Sequence, residues 1–233
     1  KRIRKNDIQG LMELKICDIT QDDIQAVINQ DAKIHSPKTV RNNHGLISAV
    51  MRMHRPDFAL NTTLPKKIRP ELYIPSDDDI KRLLQHVSGS EMELPILLAA
   101  FGPMRRGEIC ALHSKNIHRN IVHVCENMII QENGKWMIKA PKSYAGDRYI
   151  EYPDFVAAKW KGKTGRIVDL TPDVITNRFE RILKRAEIHH FRFHDLRHYS
   201  ASILHALGIP DAYIMQRGGW SSDGVLKNVY RHT

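Results

Sequence analysis

The residues best able to do chemistry in this 233-residue chain fall in four short clusters. His194-Asp195-Leu196-Arg197-His198 sets a proton-transfer group and a phosphate-matching fork three residues apart, on one face of a helix. His194 and His198 also have the spacing of a metal pair, but no acidic or third ligand stands at a recognisable distance from them; a solvated helix would carry the same residues. Gly102-Pro103-Met104-Arg105-Arg106-Gly107-Glu108 opens a helix after an apolar run, with Glu108 one turn on to orient the Arg105 guanidinium, although a surface ion pair reads alike. Lys142 sits in Ala140-Pro141-Lys142-Ser143-Tyr144-Ala145-Gly146, a turn expected between two strands, on a stem long enough to reach a substrate. Gly218-Gly219-Trp220 and, further on, Tyr230 complete the set; singly, they read as packing and surface residues.

These side chains need elements to hold them. Thr20 with Asp23, and Ser36 with Pro37, mark the starts of two helices whose apolar faces are Ile24, Val27 and Ile28, then Val40, Ile47, Val50 and Met51. The second helix carries Lys38, Arg41 and Arg52, a basic surface. Residues 61–75 hold three prolines and no usable period; a helical domain over 1–65 and a linker over 66–75, with Lys66, Lys67 and Arg69, are expected. Ser76 then caps a helix through Ile80, Leu83 and Val87. Helices are expected over about 95–100, from Arg105, from Pro172, over 194–206, over 210–217 and over 222–230. Between them, Ile121–Cys125, Lys135–Ala140 and Arg148–Tyr152 read as strands of one short sheet, broken by Asn133-Gly134 and Ala145-Gly146. The expected fold is mainly α with a small antiparallel β-sheet: a helical domain followed by an α+β domain over 76–233.

Lys and Arg total 36 against 26 Asp and Glu, a formal charge of +10 that favours a polyanionic partner. Three cysteines without paired spacing, Cys17, Cys110 and Cys125, suit a reducing compartment and give no disulfide framework. No signal peptide and no run long enough to span a bilayer is read. The first residue is Lys1 rather than Met, so a fragment or processed form is expected.

In order, Arg105-x-x-Glu108, Lys142, His194-x-x-Arg197-His198, Gly219-Trp220 and Tyr230 resemble the tyrosine recombinase family, phage and transposon integrases included. The resemblance runs from about residue 71 to the end, and the preceding helical module is similar to that family's core-binding domain. It implies a site-specific DNA recombinase that cleaves and rejoins strands through a 3′-phosphotyrosine, with no cofactor and no metal. Arg105 and Arg197 would clamp the scissile phosphate, Lys142 would protonate the leaving 5′ oxygen, and His194 would transfer protons. Trp220, where most members have His, would donate its indole N–H, and Tyr230 would be the nucleophile. Glu108 and His198 would support them, while Lys38, Arg41, Arg52, Lys66, Lys67 and Arg69 would contact DNA.

The implied partners are double-stranded recombination sites, three further copies of the chain in a tetramer, and an accessory DNA-bending protein, in the bacterial cytoplasm at the nucleoid. Five features depart from the family pattern. Gly102-Pro103 replaces Thr-Gly, Gly218 stands where leucine is common, and the stretch from Trp220 to Tyr230 is about one residue longer than typical. The exchange segment after the tyrosine and an N-terminal arm-binding domain are expected to be missing. Type IB topoisomerase-like strand passage and a noncatalytic DNA-binding protein of the same fold are the competing readings.

Overall fold

The computed structural model describes residues 8–68, 73–141, 144–222 and 224, which fall in two compact units, Lys1–Glu71 and Leu72–Thr233. The first contains α1 (Gln9–Met12), α2 (Gln21–Ile34) and α3 (Pro37–His54). A reciprocal box starts α2: the Thr20 hydroxyl accepts from the Asp23 N–H, and the Asp23 carboxylate accepts from the Thr20 N–H. Ser36 caps α3, where Pro37 occupies a first-turn position that needs no N–H. Ile24, Val27, Ile28, Val40, Ile47 and Met51 form the core of this unit. Val50, expected on that face, is instead 38% exposed, because it lies next to the buried stripe rather than on it. Residues 61–65 are not free linker. Gln21 and Gln25 of α2 bridge to the backbone of Asn61 and Thr63, and Arg41 of α3 donates twice to the Pro65 carbonyl, at 2.8 and 3.1 Å.

The second unit is built around α5 (Glu93–Phe101), whose residues Leu94–Ala100 are all buried. Around its core lie α4 (Asp77–Val87), α6 (Arg106–Ala111), α7 (Asp154–Ala157), α8 (Pro172–Arg185), α9 (Asp195–Ala206) and α10 (Asp211–Gly218). α4 starts at the Ser76–Asp79 capping box. The mainly helical fold with short antiparallel strands is borne out, but the strands form two sheets rather than one. β1 (Ile117–His118), β2 (Ile121–Val124) and β5 (Arg148–Glu151) make a three-stranded sheet in the order β1-β2-β5. β3 (Asn127–Ile130) and β4 (Trp136–Lys139) make a separate hairpin, turned at Gly134 with φ 80°. β4 and β5 are therefore not partners, and the connection that carries Lys142 joins two sheets instead of closing a hairpin. Asn127-Met128-Ile129-Ile130 has no polar/apolar alternation, and so β3 gave no strand signal.

On β5, Arg148 and Ile150 face inward while Tyr149 and Glu151 face out. No helix among the described residues is long and apolar enough to cross a membrane.

Candidate active site

The site begins where α5 stops. A Cβ on Gly102 would lie 1.8 Å from the Tyr152 hydroxyl, which donates to the Leu98 carbonyl at 3.0 Å. The Gly102-Pro103 departure from the family pattern thus has a local cause: Tyr152 fills the space a side chain would need. The chain turns through Pro103 and enters α6 with Arg105 at the N-cap. Its backbone N–H donates to Glu108 Oε2 at 2.7 Å, and its Nη1 donates to Glu108 Oε1 at 2.8 Å. Gly107 lets α6 rest on β3, since a Cβ there would lie 2.3 Å from Asn127 Oδ1.

α9 brings in the second arginine. His194 is its N-cap, and Asp195 in the first turn is clamped by Arg192, whose Nη2 and Nε reach the two carboxylate oxygens at 2.8 and 3.1 Å. Arg197 is only 1% exposed. Its Nη1 donates to the Pro103 carbonyl and its Nη2 to the Gly218 carbonyl, the latter at 2.9 Å. Its Nε is buried with no hydrogen-bond partner. Trp220 packs against the same guanidinium, with its ring centroid 5.0 Å away. Burial, then the charge of Arg105, pushes the Arg197 pKa down to about 9, with Glu108 opposing, so the group stays charged at neutral pH.

The third segment is the turn after α10. Arg105 Nη2 donates to the Gly219 carbonyl at 2.9 Å. Gly219 has φ 64°, and a Cβ there would lie 2.5 Å from the Ala145 carbonyl oxygen. A Cβ on Gly218 would lie 2.2 Å from the Trp220 ring. Both glycines are therefore steric requirements of a turn that folds Trp220 back toward Arg197, which accounts for Gly218 in place of leucine.

Glu108 joins the parts. It is 5% exposed, and its oxygens accept from Arg105 and from both terminal nitrogens of Arg148, at 3.2 and 2.8 Å. Burial alone would raise its pKa. The hydrogen bonds and charge of Arg148 overcome this, aided by Arg197 and the Arg105 N–H, and hold the carboxyl down at about 2. His194, open to solvent on one side, packs edge-on to His198 at 5.5 Å. Crowding of its ring, then the charge of Arg197, moves its pKa below the usual imidazole value. His198 Nδ1 is buried without a partner.

Arg105, Arg106, Arg192 and His194 line a groove of about 810 Å³ floored by Met128, Ile129, Trp136, Phe179 and Phe193.

Arg105, Glu108, Arg197 and Trp220, spread over the sequence, are thus brought together, with His194 and His198 on the helix that bears Arg197. Lys142, Tyr230, Arg69 and the helix expected up to Tyr230 lie outside the described residues. Lys38, Arg52, Lys66 and Lys67 are exposed in the first unit, whereas Arg41 gives two donors to Pro65. Among the described residues no three His, Cys, Asp or Glu side chains group as metal ligands. Sequence reasoning missed Arg148, whose signal was an arginine on the inward face of a strand beside Ile150 and Tyr152. It also missed the two glycine carbonyls, which carry no side-chain signal at all.

The model of the phage integrase family matches residues 76–233, all of the site included. The chain belongs to this family. Relatives in it include an integrase of Saccharopolyspora erythraea, 30% identical over 98 residues, which are 41% of this chain and 22% of that one. Another is the phiRv2 prophage integrase of Mycobacterium tuberculosis, 28% identical over 156 residues, 59% of this chain and 41% of that one. The chain spans less than half the length of either. In fold it is similar to the Tn1549 transposon integrase in complex with transposon right-end DNA, with a TM-score of 0.79 at 14% identity, covering 94% of this chain and 82% of that one. It is also similar to a lambda integrase tetramer bound to a Holliday junction, with a TM-score of 0.64 at 18% identity, covering 94% and 67%. The second unit has the tyrosine recombinase catalytic fold.

Proposed function

We propose that this chain is a site-specific DNA recombinase of a phage or other mobile element, cleaving and rejoining strands through a 3′-phosphotyrosine on Tyr230. The observation that carries the reading is the seating of two guanidiniums, Arg105 and Arg197, on successive carbonyls of the turn that also presents Trp220. Such a preorganised cluster matches the charge that grows on the nonbridging oxygens of a phosphodiester under attack. Tyr230 attacks phosphorus, the bond to the 5′ oxygen breaks, and the phosphotyrosine bond conserves its energy for religation. Lys142 supplies the proton that the 5′ oxygen takes up. A phenol with a pKa near 10 must lose its own proton, and a neutral His194 is the acceptor at hand. The indole N–H of Trp220 donates to a phosphate oxygen.

The groove lined by Arg105, Arg106 and Arg192 receives the duplex beside the cleavage point, through its phosphates. Residues 1–65 serve as a core-binding domain, 66–75 as the linker and 76–233 as the catalytic domain. In the first of these, Lys38 and Arg52 contact the DNA backbone, as do Lys66, Lys67 and Arg69 in the linker. The same reading has four copies acting on paired sites with an accessory DNA-bending protein, in the bacterial cytoplasm at the nucleoid. The tetrameric lambda integrase on a Holliday junction supports the four copies alone.

The test is covalent trapping. Nicked duplexes drawn from the ends of candidate mobile elements are incubated with the chain and with Tyr230→Phe, in chelator. A denaturation-resistant adduct absent from the variant is expected. An adduct that persists in the variant, or none from duplexes that bind tightly, would overturn the reading.

A further inference from the structure

Arg148 makes more contacts across the site than any assigned role requires. It is 4% exposed and lies at the start of β5, outside the arginine pair. Nη1 and Nη2 reach the two oxygens of Glu108, at 3.2 and 2.8 Å. Nε donates to the Arg217 carbonyl at 2.9 Å, and Nη1 also donates to the Gly146 carbonyl at 3.1 Å. One buried guanidinium thus holds three segments at once. Glu108 is the residue that orients Arg105. Arg217 directly precedes Gly218 and Gly219, the seats of Arg197 and Arg105. Gly146 belongs to the segment whose Ala145 carbonyl would meet a side chain on Gly219.

We propose that Arg148 is a positioning residue for the cleavage reaction, setting the distance between the two phosphate-binding arginines through Glu108 on one side and the Arg217–Gly219 backbone on the other. This inference rests on the functional reading above. The planar fork is what the role requires. Its five donors diverge at fixed angles, so a carboxylate and two carbonyls are held in one geometry, whereas a lysine ammonium is a point charge on a flexible stem. Arg148 points into the protein and has no need to touch DNA. Its effect travels through Glu108 and the turn to Arg105 and Arg197.

The experiment compares Arg148→Lys with the parent chain on two nicked duplexes. One has an ordinary scissile phosphodiester, and the other has a methylphosphonate there. The methylphosphonate lacks one anionic nonbridging oxygen and so depends less on correctly spaced arginines. Arg105→Ala serves as the reference for a damaged clamp, and melting temperatures report folding. Arg148→Lys should slow cleavage of the phosphodiester by roughly a hundredfold, the scale of an ångström-sized misplacement, and slow the methylphosphonate far less, as Arg105→Ala does. Equal slowing on both substrates, or none on either, overturns the inference and leaves the recombinase reading standing. Absence of cleavage by the parent chain overturns both. Should Arg148→Lys not fold, Glu108→Gln loosens the same bridge from its other end and must show the same selective loss.

Discussion

Arg105 and Arg197 donate to the carbonyls of neighbouring residues, Gly219 and Gly218, each at 2.9 Å. Consecutive Cα atoms across a trans peptide stand about 3.8 Å apart, so one peptide unit sets the scale on which the two guanidiniums are spaced. Their environments nonetheless differ: the Arg105 side chain is 40% exposed and that of Arg197 only 1%.

This difference predicts an asymmetry between two substitutions. Arg197→Lys cannot reach both Pro103 and Gly218 from a buried stem, and should lower the melting temperature as well as slow adduct formation by roughly 10²–10³-fold. Arg105→Lys should slow adduct formation while leaving the melting temperature close to that of the parent. Single-turnover trapping and thermal denaturation separate the two. Equal melting temperatures would refute the asymmetry.

Glu108→Ala would leave Arg148 buried without its carboxylate, and unfolding in urea should show a loss of roughly 3–5 kcal/mol. The pH dependence follows from the carboxyl's folded-state pKa of about 2, against an ordinary value of 4.5. A depressed pKa gives stability that is complete above pH 4.5 and lost as the pH falls toward 2. Glu108→Gln should lack that part of the acid slope. An identical slope in the variant would assign acid unfolding to other carboxylates.

His194 is predicted to be neutral at pH 7, with a midpoint below 6.5 because crowding and Arg197 disfavour its cation. A two-dimensional NMR titration of the imidazoles, assigned with His194→Gln, measures it. A midpoint at or above 6.5 would refute the shift, and one well above 7 would leave the ring protonated at neutral pH and remove His194 as a ready acceptor for the tyrosine proton.

Gly218→Ala places a methyl where the Trp220 ring now lies. The ring must move off Arg197. We expect a shift in tryptophan emission, a stability loss of roughly 1–3 kcal/mol and a strong loss of adduct formation, with the fold retained. Unchanged emission would mean that the turn relaxes while the ring stays in place.

Much of this was legible in the sequence because helix ends are written in side chains. Thr20–Asp23, Ser36–Pro37 and Ser76–Asp79 each mark a start, and Arg105 and His194 stand where helices begin. What could not be read follows from physics that leaves no local mark. β3 is too short and too evenly apolar to show a period. Its pairing with β4 split the single expected sheet into two. Arg148 was visible only as a charge among strand residues, and its value depends on contacts with segments distant in the sequence. The arginine seats are backbone atoms of glycines, and nothing in the residue type announces a carbonyl as a receptor.

The register of the three-stranded sheet places Val124 directly opposite Arg148. Everything from Cys125 to Asp147, the β3–β4 hairpin and Lys142 included, is therefore one loop whose feet are tied together by a ladder. The entropy of closing such a loop grows only with the logarithm of its length, about 0.6 kcal/mol per doubling. The exposed hairpin tip, residues 131–135, can be lengthened or shortened at little energetic penalty to the ladder, because Arg148 keeps its station at the loop's far foot. Variation is thus tolerated at the exposed tip, while the feet of the loop, with β3 packed on α6 and the Ala145 and Gly146 carbonyls at the arginine seats, are bound to the site.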